Sequence, residues 1–162
     1  MKDVILSILE AGIAAKRSCV ESNVDNIIKA ADMLAVSLAA GGKVLIFGNG
    51  GSAADAQHLA AEFINRYQIE RPPLAAIALT TDTSVLTSIG NDYHFNDNFS
   101  KQIRAVGNKR DSAGGLSTSG NSPKVVKAGK TAQTRRSSTV GMPGRGGDRA
   151  AGADLGVAGE AA

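Results

Sequence analysis

Residues 45–63, LIFGNGGSAADAQHLAAEF, combine an apolar run, a glycine-rich turn and a helical pattern that carries a histidine and a glutamate. A turn such as GNGGS between a buried strand and a helix leaves backbone N–H groups exposed at the positive end of the helix. That arrangement suits an anion, most often a phosphate or a carboxylate. Gly50 and Gly51 permit close backbone approach, and Ser52 adds a hydroxyl donor. The turn is not a nucleotide P-loop, since the lysine is missing, nor a dinucleotide GxGxxG. A tight strand-to-helix connection without a ligand fits the same residues. His58 and Glu62 stand four apart, on one helical face. Taken alone, that spacing describes a solvated i, i+4 pair.

A second stretch, LSTSGNSP at 116–123, places four hydroxyls in six residues: Ser117, Thr118, Ser119 and Ser122. Clustered hydroxyls beside free N–H groups at a helix start can wrap a phosphate without a buried positive charge. A serine-rich linker is the competing reading.

These segments need elements to hold them. KVLIFG at 43–48 is a short continuous apolar run, as in the buried interior of a parallel sheet. A helix is expected from Ser52 to about Tyr67, a strand in PLAAIAL at 73–79, a helix beginning at 81–82 and stopping at Gly90, and an amphipathic helix over 95–107 with Phe95, Phe99, Ile103 and Val106 on one face. Strand, helix, strand, helix with short links indicates a doubly wound α/β layer. Ahead of it, 3–20 and 24–40 each show apolar residues at helical spacing (Val4, Ile5, Ile8, Leu9, Ile13; then Val24, Ile27, Ile28, Ala31, Leu34). With Ser22 or Asn23 as a cap, they read as an antiparallel helical pair that serves oligomerisation or covers a sheet. After residue 107 the pattern weakens to a turn-rich cluster, a weak helix and a two- or three-residue strand at 139–142. The expected division is 1–40 helical, 41–142 the α/β domain, and 143–162 a flexible tail.

The totals set bounds. A chain of 162 residues with 43% hydrophobic content supports one domain with a core. No apolar run reaches the roughly 18–20 residues that cross a bilayer, and acidic residues interrupt the N-terminal apolar stretch. The expectation is a cytoplasmic protein without a secretory signal. The single cysteine, Cys19, excludes an internal disulfide framework and a Cys-based zinc cluster. Residues 1–106 hold 9 Lys/Arg and 11 Asp/Glu, a balance of −2, whereas 107–162 hold 9 and 4, a balance of +5. The basic part has no Phe, Tyr or Trp and its charges are scattered, so it reads as a solvated tail and not as a nucleic-acid surface.

The segments GNGGSAADAQHLAAEFINRY, RPPLAAIALTTDTSVLTSIGND and STSGNSP, in this order and spacing, resemble the sugar isomerase (SIS) domain family, and within it the phosphoheptose isomerases. The resemblance is dense over about 40–107, local at 116–127 and thin beyond. It implies a flavodoxin-like, five-stranded parallel sheet flanked by helices, in a homotetramer with sites shared between subunits. It also implies conversion of sedoheptulose 7-phosphate to D-glycero-D-manno-heptose 7-phosphate, in the heptose branch of bacterial lipopolysaccharide precursor synthesis. By the same resemblance, Asn49, Gly50, Gly51 and Ser52 form the substrate loop; Ser117, Thr118, Ser119 and Ser122 clamp the phosphate; Asn91 and Asp92 add substrate contacts. A helix C-cap at Gly90–Asn91 accounts for the last two without function. His58 and Glu62 match zinc ligands, and Glu62 also matches the proton-transferring base. Aldose–ketose isomerisation needs such a carboxylate and a polarising group on the oxygens.

The chain departs from that pattern in three places. The family's later helix, with a Gln and a His that complete the zinc site and supply a second acid/base, has no counterpart, and His94 does not match it. The apolar strand expected before STSGNS is replaced by DSAGG. Lost large side chains cost roughly 1.5–3 kcal/mol each, so a disordered C-terminal part and impaired activity are expected. The eroded, basic, glycine-rich tail suggests frame errors or a degraded coding sequence. A non-catalytic SIS protein that binds the bacterial replication initiator is the alternative, through INRYQIERPPLAAIAL. Glu62 discriminates against it, because that pattern lacks an acid there.

Overall fold

A computed structural model of the chain describes residues 1–144 and 153–158. The apolar run and its followers form a three-layer α/β sandwich. In chain order the elements are α1 (Lys2–Ala39), β1 (Val44–Phe47), α2 (Gly51–Ile64), β2 (Ala76–Ala78), α3 (Thr83–Asp92), a single 3-10 turn (Phe95–Asp97), α4 (Asn98–Val106), β3 (Ser112–Ser117), α5 (Pro123–Thr134), β4 (Ser138–Pro143) and β5 (Leu155–Gly156). The five strands lie in the order β2-β1-β3-β4-β5 and every pairing is parallel.

The side-chain alternation of the strands divides the core in two. Leu45, Phe47 and Ala113 face Phe99 and Ile103 of α4 and Val125, Ala128 and Ala132 of α5. Val44, Ile46, Ala76 and Ala78 face the opposite layer, where Ala56 and Ala60 of α2 and Leu34 and Leu38 of α1 cover them. The sheet is thus apolar on both sides, which is why β1 reads VLIF without alternation.

The expected N-terminal helical pair is one continuous helix of 38 residues. No Gly or Pro interrupts residues 13–40, and Asn23 does not cap a break. Its amide donates to the carbonyl of Cys19, one turn back, at 2.9 Å, and to that of Ala158 at 2.8 Å. Asn26 likewise donates to Gly156 O at 3.1 Å. The polar residues at the apparent junction therefore dock the β5 segment against the helix. The helix ends at Gly41, whose φ of 77° is the left-handed conformation, with Gly41 N–H on Leu38 O and Gly42 N–H on Ser37 O, a Schellman stop.

Three further expectations change. Gly90 does not stop α3, which continues to Asp92. Phe95 lies ahead of α4 in the 3-10 turn and is 63% exposed, and Val106 is also exposed, so only Phe99 and Ile103 of the expected stripe are core. The segment SAGGLS is not a lost strand: it is β3, central in the sheet, paired with both β1 and β4. Its neighbour β4 runs six residues, longer than expected. Of the predicted tail, residues 153–158 are placed, with Leu155–Gly156 as the fifth strand; the remainder of that prediction lies outside the described residues. Backbone ladders require no side chains, and the glycines let the flanking layer close in. A Cβ on Gly115 would stand 3.0 Å from Val125 Cγ1 and 3.1 Å from Phe47 Cε2, so those groups occupy the missing side chain's space. Asp111 anchors the start of β3: it accepts from Lys43 N at 3.0 Å and Asn108 N at 2.7 Å, and pairs with Lys43 Nζ at 2.7 Å.

The packing between β3, β4 and α5 leaves a cavity of about 30 Å³ bordered by Ala113, Gly115, Val125, Gly129 and Val140. A Cβ on Gly129 would meet nothing within 4 Å. Gly129→Ala should therefore raise stability by about 0.5–1 kcal/mol from helix propensity alone. Calorimetry should show Tm higher by about 2–3 °C.

Candidate active site

In an open parallel sheet, ligands collect at the carboxyl ends of the strands, where successive connections leave in opposite directions. Here that point falls between β1 and β3. The connection after β1 leads through α2 to β2 on one side, and that after β3 leads through α5 to β4 on the other. The two loops at this point are 48–52 and 117–122, the two stretches singled out by their glycines and hydroxyls.

Each loop turns on one left-handed glycine, Gly50 (φ 55°) and Gly120 (φ 62°). Gly48 has no room for a side chain, since a Cβ there would stand 2.7 Å from Ser52 Cβ. Gly51 and Ser52 form the first turn of α2, and Ala53 and Ala54 N–H both point at Gly50 O. In the second loop, Gly120 N–H donates to Ser117 O at 3.0 Å, and Asn121 N–H donates to Ser119 Oγ at 3.3 Å. Ser117 and Ser119 hydroxyls lie 3.5 Å apart. Pro123 opens α5 directly behind Ser122, its missing N–H falling where the helix has no use for one. A third strand end closes in: Gly144 N–H donates to Ser117 O at 3.0 Å, and a Cβ at Gly144 would stand 2.2 Å from Thr118 O.

One hydrogen bond spans the crevice. Asn49 Nδ2 donates to Ser122 Oγ at 3.0 Å. The structure thus brings together Asn49, Gly50, Gly51 and Ser52 with Ser117, Thr118, Ser119 and Ser122, across 73 residues of chain. Thr118 and Ser119 are exposed at the mouth. Two helix N-termini converge there with hydroxyl donors and glycine N–H groups, a geometry suited to an anion.

The remaining predicted residues lie elsewhere on the chain. His58 Nε2 and Glu62 Oε1 are 3.2 Å apart, with the imidazole 76% and the carboxylate 32% exposed. The second oxygen, Oε2, is buried and has no partner. Glu62 lies eleven residues beyond Gly51, so at 1.5 Å per residue it is about 16 Å along α2 from the loop. The carboxylate and the anion loops of one chain therefore do not face one small sugar. Beneath Glu62, Arg71 closes the end of α2, donating to Glu62 O at 2.7 Å and Phe63 O at 2.8 Å. Sequence reasoning gave no role to Arg71, and no local pattern marks it. Asn91 and Asp92 sit in the exposed last turn of α3, bonded to each other at 2.8 Å (Asn91 Nδ2 to Asp92 Oδ1).

As a zinc site, His58 and Glu62 supply two donors of the three or four that hold the ion. Among the described residues no cluster of three or more His, Cys, Asp and Glu exists. The donors present are an incomplete set for zinc. No helix among the described residues is long and apolar enough to cross a membrane.

Fold and site together define a doubly wound α/β domain with a switch-point crevice suited to an anion. The SIS domain model matches residues 9–144. Phosphoheptose isomerase of Nitratidesulfovibrio vulgaris (strain Hildenborough) is 57% identical over 141 residues, covering 87% of this chain and 68% of that protein. The one from an Azoarcus species is 53% identical over 140 residues, covering 86% and 71%. Among solved structures, phosphoheptose isomerase from Francisella tularensis superposes with a TM-score of 0.92 at 34% identity, covering 98% of this chain and 85% of that one. The enzyme from Neisseria gonorrhoeae gives 0.87 at 43% identity, covering 97% and 84%. The chain belongs to the SIS domain family, in its phosphoheptose isomerase branch.

The two adjacent loop glycines should respond differently to alanine. Gly50→Ala forces a Cβ into the left-handed region and should cost about 1–2 kcal/mol. Gly51→Ala, with open space and helical backbone, should be neutral or slightly stabilising. Urea titration of both variants checks the contrast.

Proposed function

We propose that the chain is an aldose–ketose isomerase that interconverts sedoheptulose 7-phosphate and D-glycero-D-manno-heptose 7-phosphate, in bacterial heptose synthesis for lipopolysaccharide precursors. The observation that carries the reading is the hydrogen-bonded union of the 48–52 and 117–122 loops at the sheet's switch point. In this reading the loop N–H groups and the hydroxyls of Ser117, Thr118, Ser119 and Ser122 hold the phosphate, and Asn91 and Asp92 add contacts to the sugar. Anchoring the phosphate fixes the far end of the sugar, so that the carbonyl end is presented in one orientation.

Glu62 is the proton-transferring group. Its carboxylate takes a proton from C1 of the ketose, the electron pair of that C–H bond forms the C1–C2 double bond of the enediolate, and the carbonyl electrons move to O2. Return of that proton to C2, with net transfer of the O1 proton to O2, gives the C2 hydroxyl and the aldose carbonyl at C1. The carboxylate is partly exposed and therefore open to a substrate, which supports this role. The replication-initiator alternative does not use such an acid. Zinc, when bound, would polarise the substrate oxygens; His58 and Glu62 are proposed as two of its ligands.

The distance of about 16 Å along α2 favours a site shared by two copies, with the loops of one subunit facing Glu62 of another. The outer half of α1 supports assembly: Val4, Ile5, Ile8, Leu9 and Ile13 are all at least half exposed, an apolar stripe that a lone subunit would leave in water. A homotetramer is the proposed form, and the cytoplasm the proposed location.

Two measurements test the reading. Glu62→Gln should lower kcat by about 10²–10⁴-fold while Kd for sedoheptulose 7-phosphate changes little; turnover near that of the native chain would remove Glu62 as the base. Refolding inactive Glu62→Gln together with inactive Ser119→Ala should restore about a quarter of native activity if each site draws the two residues from different subunits. A mixture as inactive as its parts would place both residues in one subunit's site.

A further inference from the structure

The first turn of α5 carries a lysine for which the isomerase reading has no use. Lys124 follows Pro123, two residues past Ser122, and is only 5% exposed. Its ammonium lies over the ring of Phe95, 3.4 Å from the centroid, with the Phe99 centroid at 5.0 Å. Phe99 packs on Phe47, centroids 5.4 Å apart, and Phe47 is the last residue of β1 before the glycine turn. The lysine is therefore wedged at the carboxyl edge of the sheet, directly behind the serine loop.

No carboxylate answers this charge. Asp97, on the neighbouring 3-10 turn, is engaged by Lys127, whose hydrogen bond and charge hold its carboxyl below the usual range, with His94 and Arg104 adding to the effect. Asp92 is bonded to Asn91, and Lys101 lies over Tyr93. Among the described residues Lys124 makes no ion pair. Two effects oppose the cation: burial, which lowers its pKa below that of an ordinary amine, and its position at the positive end of a helix. The Phe95 ring offsets part of this.

We propose that Lys124 is a positioning residue for the substrate phosphate, a charge held behind the serine clamp by Phe95 and Phe99 that raises affinity for a dianion at the expense of ligand-free stability. The proposal rests on the isomerase reading for the identity of the anion. A dianion seated in the serine loop, in a partly solvated medium, should bind roughly 10-fold more tightly because of this charge. Lys124 does not touch the reacting carbons, so the effect belongs in binding and not in turnover.

The test compares Lys124→Met and Lys124→Arg with the native chain, using titration calorimetry with sedoheptulose 7-phosphate and with inorganic phosphate, steady-state kinetics, and ligand-free thermal melts. For Lys124→Met, both ligands should bind about 10-fold more weakly, KM should rise, kcat should stay within twofold, and the ligand-free Tm should hold or rise. Lys124→Arg, which keeps the charge, should retain affinity within about threefold. Unchanged phosphate affinity in Lys124→Met overturns the proposal, as does a fall in kcat at constant KM. A ligand-free Tm below native, or failure of that variant to fold, overturns it too, because the charge is required to be a burden on the empty protein. If the native chain binds inorganic phosphate but does not turn over the sugar, the isomerase reading fails while the phosphate arm still decides the role of Lys124; binding of neither sinks both.

Discussion

Two adjacent parallel strands whose connections diverge determine what the rest of this molecule can do. β1 and β3 run side by side in register, Val44 against Ser112 to Phe47 against Gly115. Each then releases a glycine-centred loop into the N-terminus of a helix, and the helices depart to opposite sides of the sheet. The divergence opens a crevice that backbone donors line from both walls, and Asn49 bonded to Ser122 ties its walls together. Without parallel pairing the two loops would emerge at opposite ends of the sheet. The candidate anion site is therefore a property of topology first and of side chains second.

The central strand shows how little side-chain volume that topology requires. SAGGLS pairs on both edges, and its backbone hydrogen bonds carry the sheet through a stretch without bulky residues. The vacated volume is not left open: Phe47 and Val125 move against Gly115, and only about 30 Å³ remains. Close approach of α5 also brings the serine loop to the turn after β1, where Asn49 donates to Ser122. A strand that is poor in apolar area is thus compatible with a closely drawn site, and the anchoring of Asp111 by Lys43 and Asn108 supplies part of the fixation that large side chains would otherwise give.

The anion loops and the acid are separated by most of α2. Helix geometry fixes that interval, and no side-chain motion closes three turns of helix. The proposed shared site follows from this separation, and the long exposed stripe of α1 gives the same assembly a physical cause. Half of α1 covers the sheet and half projects apolar side chains outward. The two anomalies of the single chain, an acid remote from the glycine and serine loops and a helix half without a partner, share one resolution in the proposed assembly.

The amino-acid order alone determined the identity of the loops, because glycine and hydroxyl chemistry at a strand-to-helix junction is local and needs no tertiary knowledge. It also determined β1, whose VLIF is apolar throughout, and the shared face of His58 and Glu62, which follows from 3.6 residues per turn. Tertiary structure decided what local pattern left ambiguous or pointed against. SAGGLS became a strand because both of its neighbours offered ladders. Asn23 stayed within one long helix because its amide found Cys19 and the returning chain at Ala158. Gly90 stayed inside α3, and Phe95 left the core stripe for the turn that holds Lys124. The ladders on SAGGLS, Ala158 against Asn23 and Lys124 against Phe95 are all partners distant in sequence, and such contacts leave no periodic trace in the residues they act on.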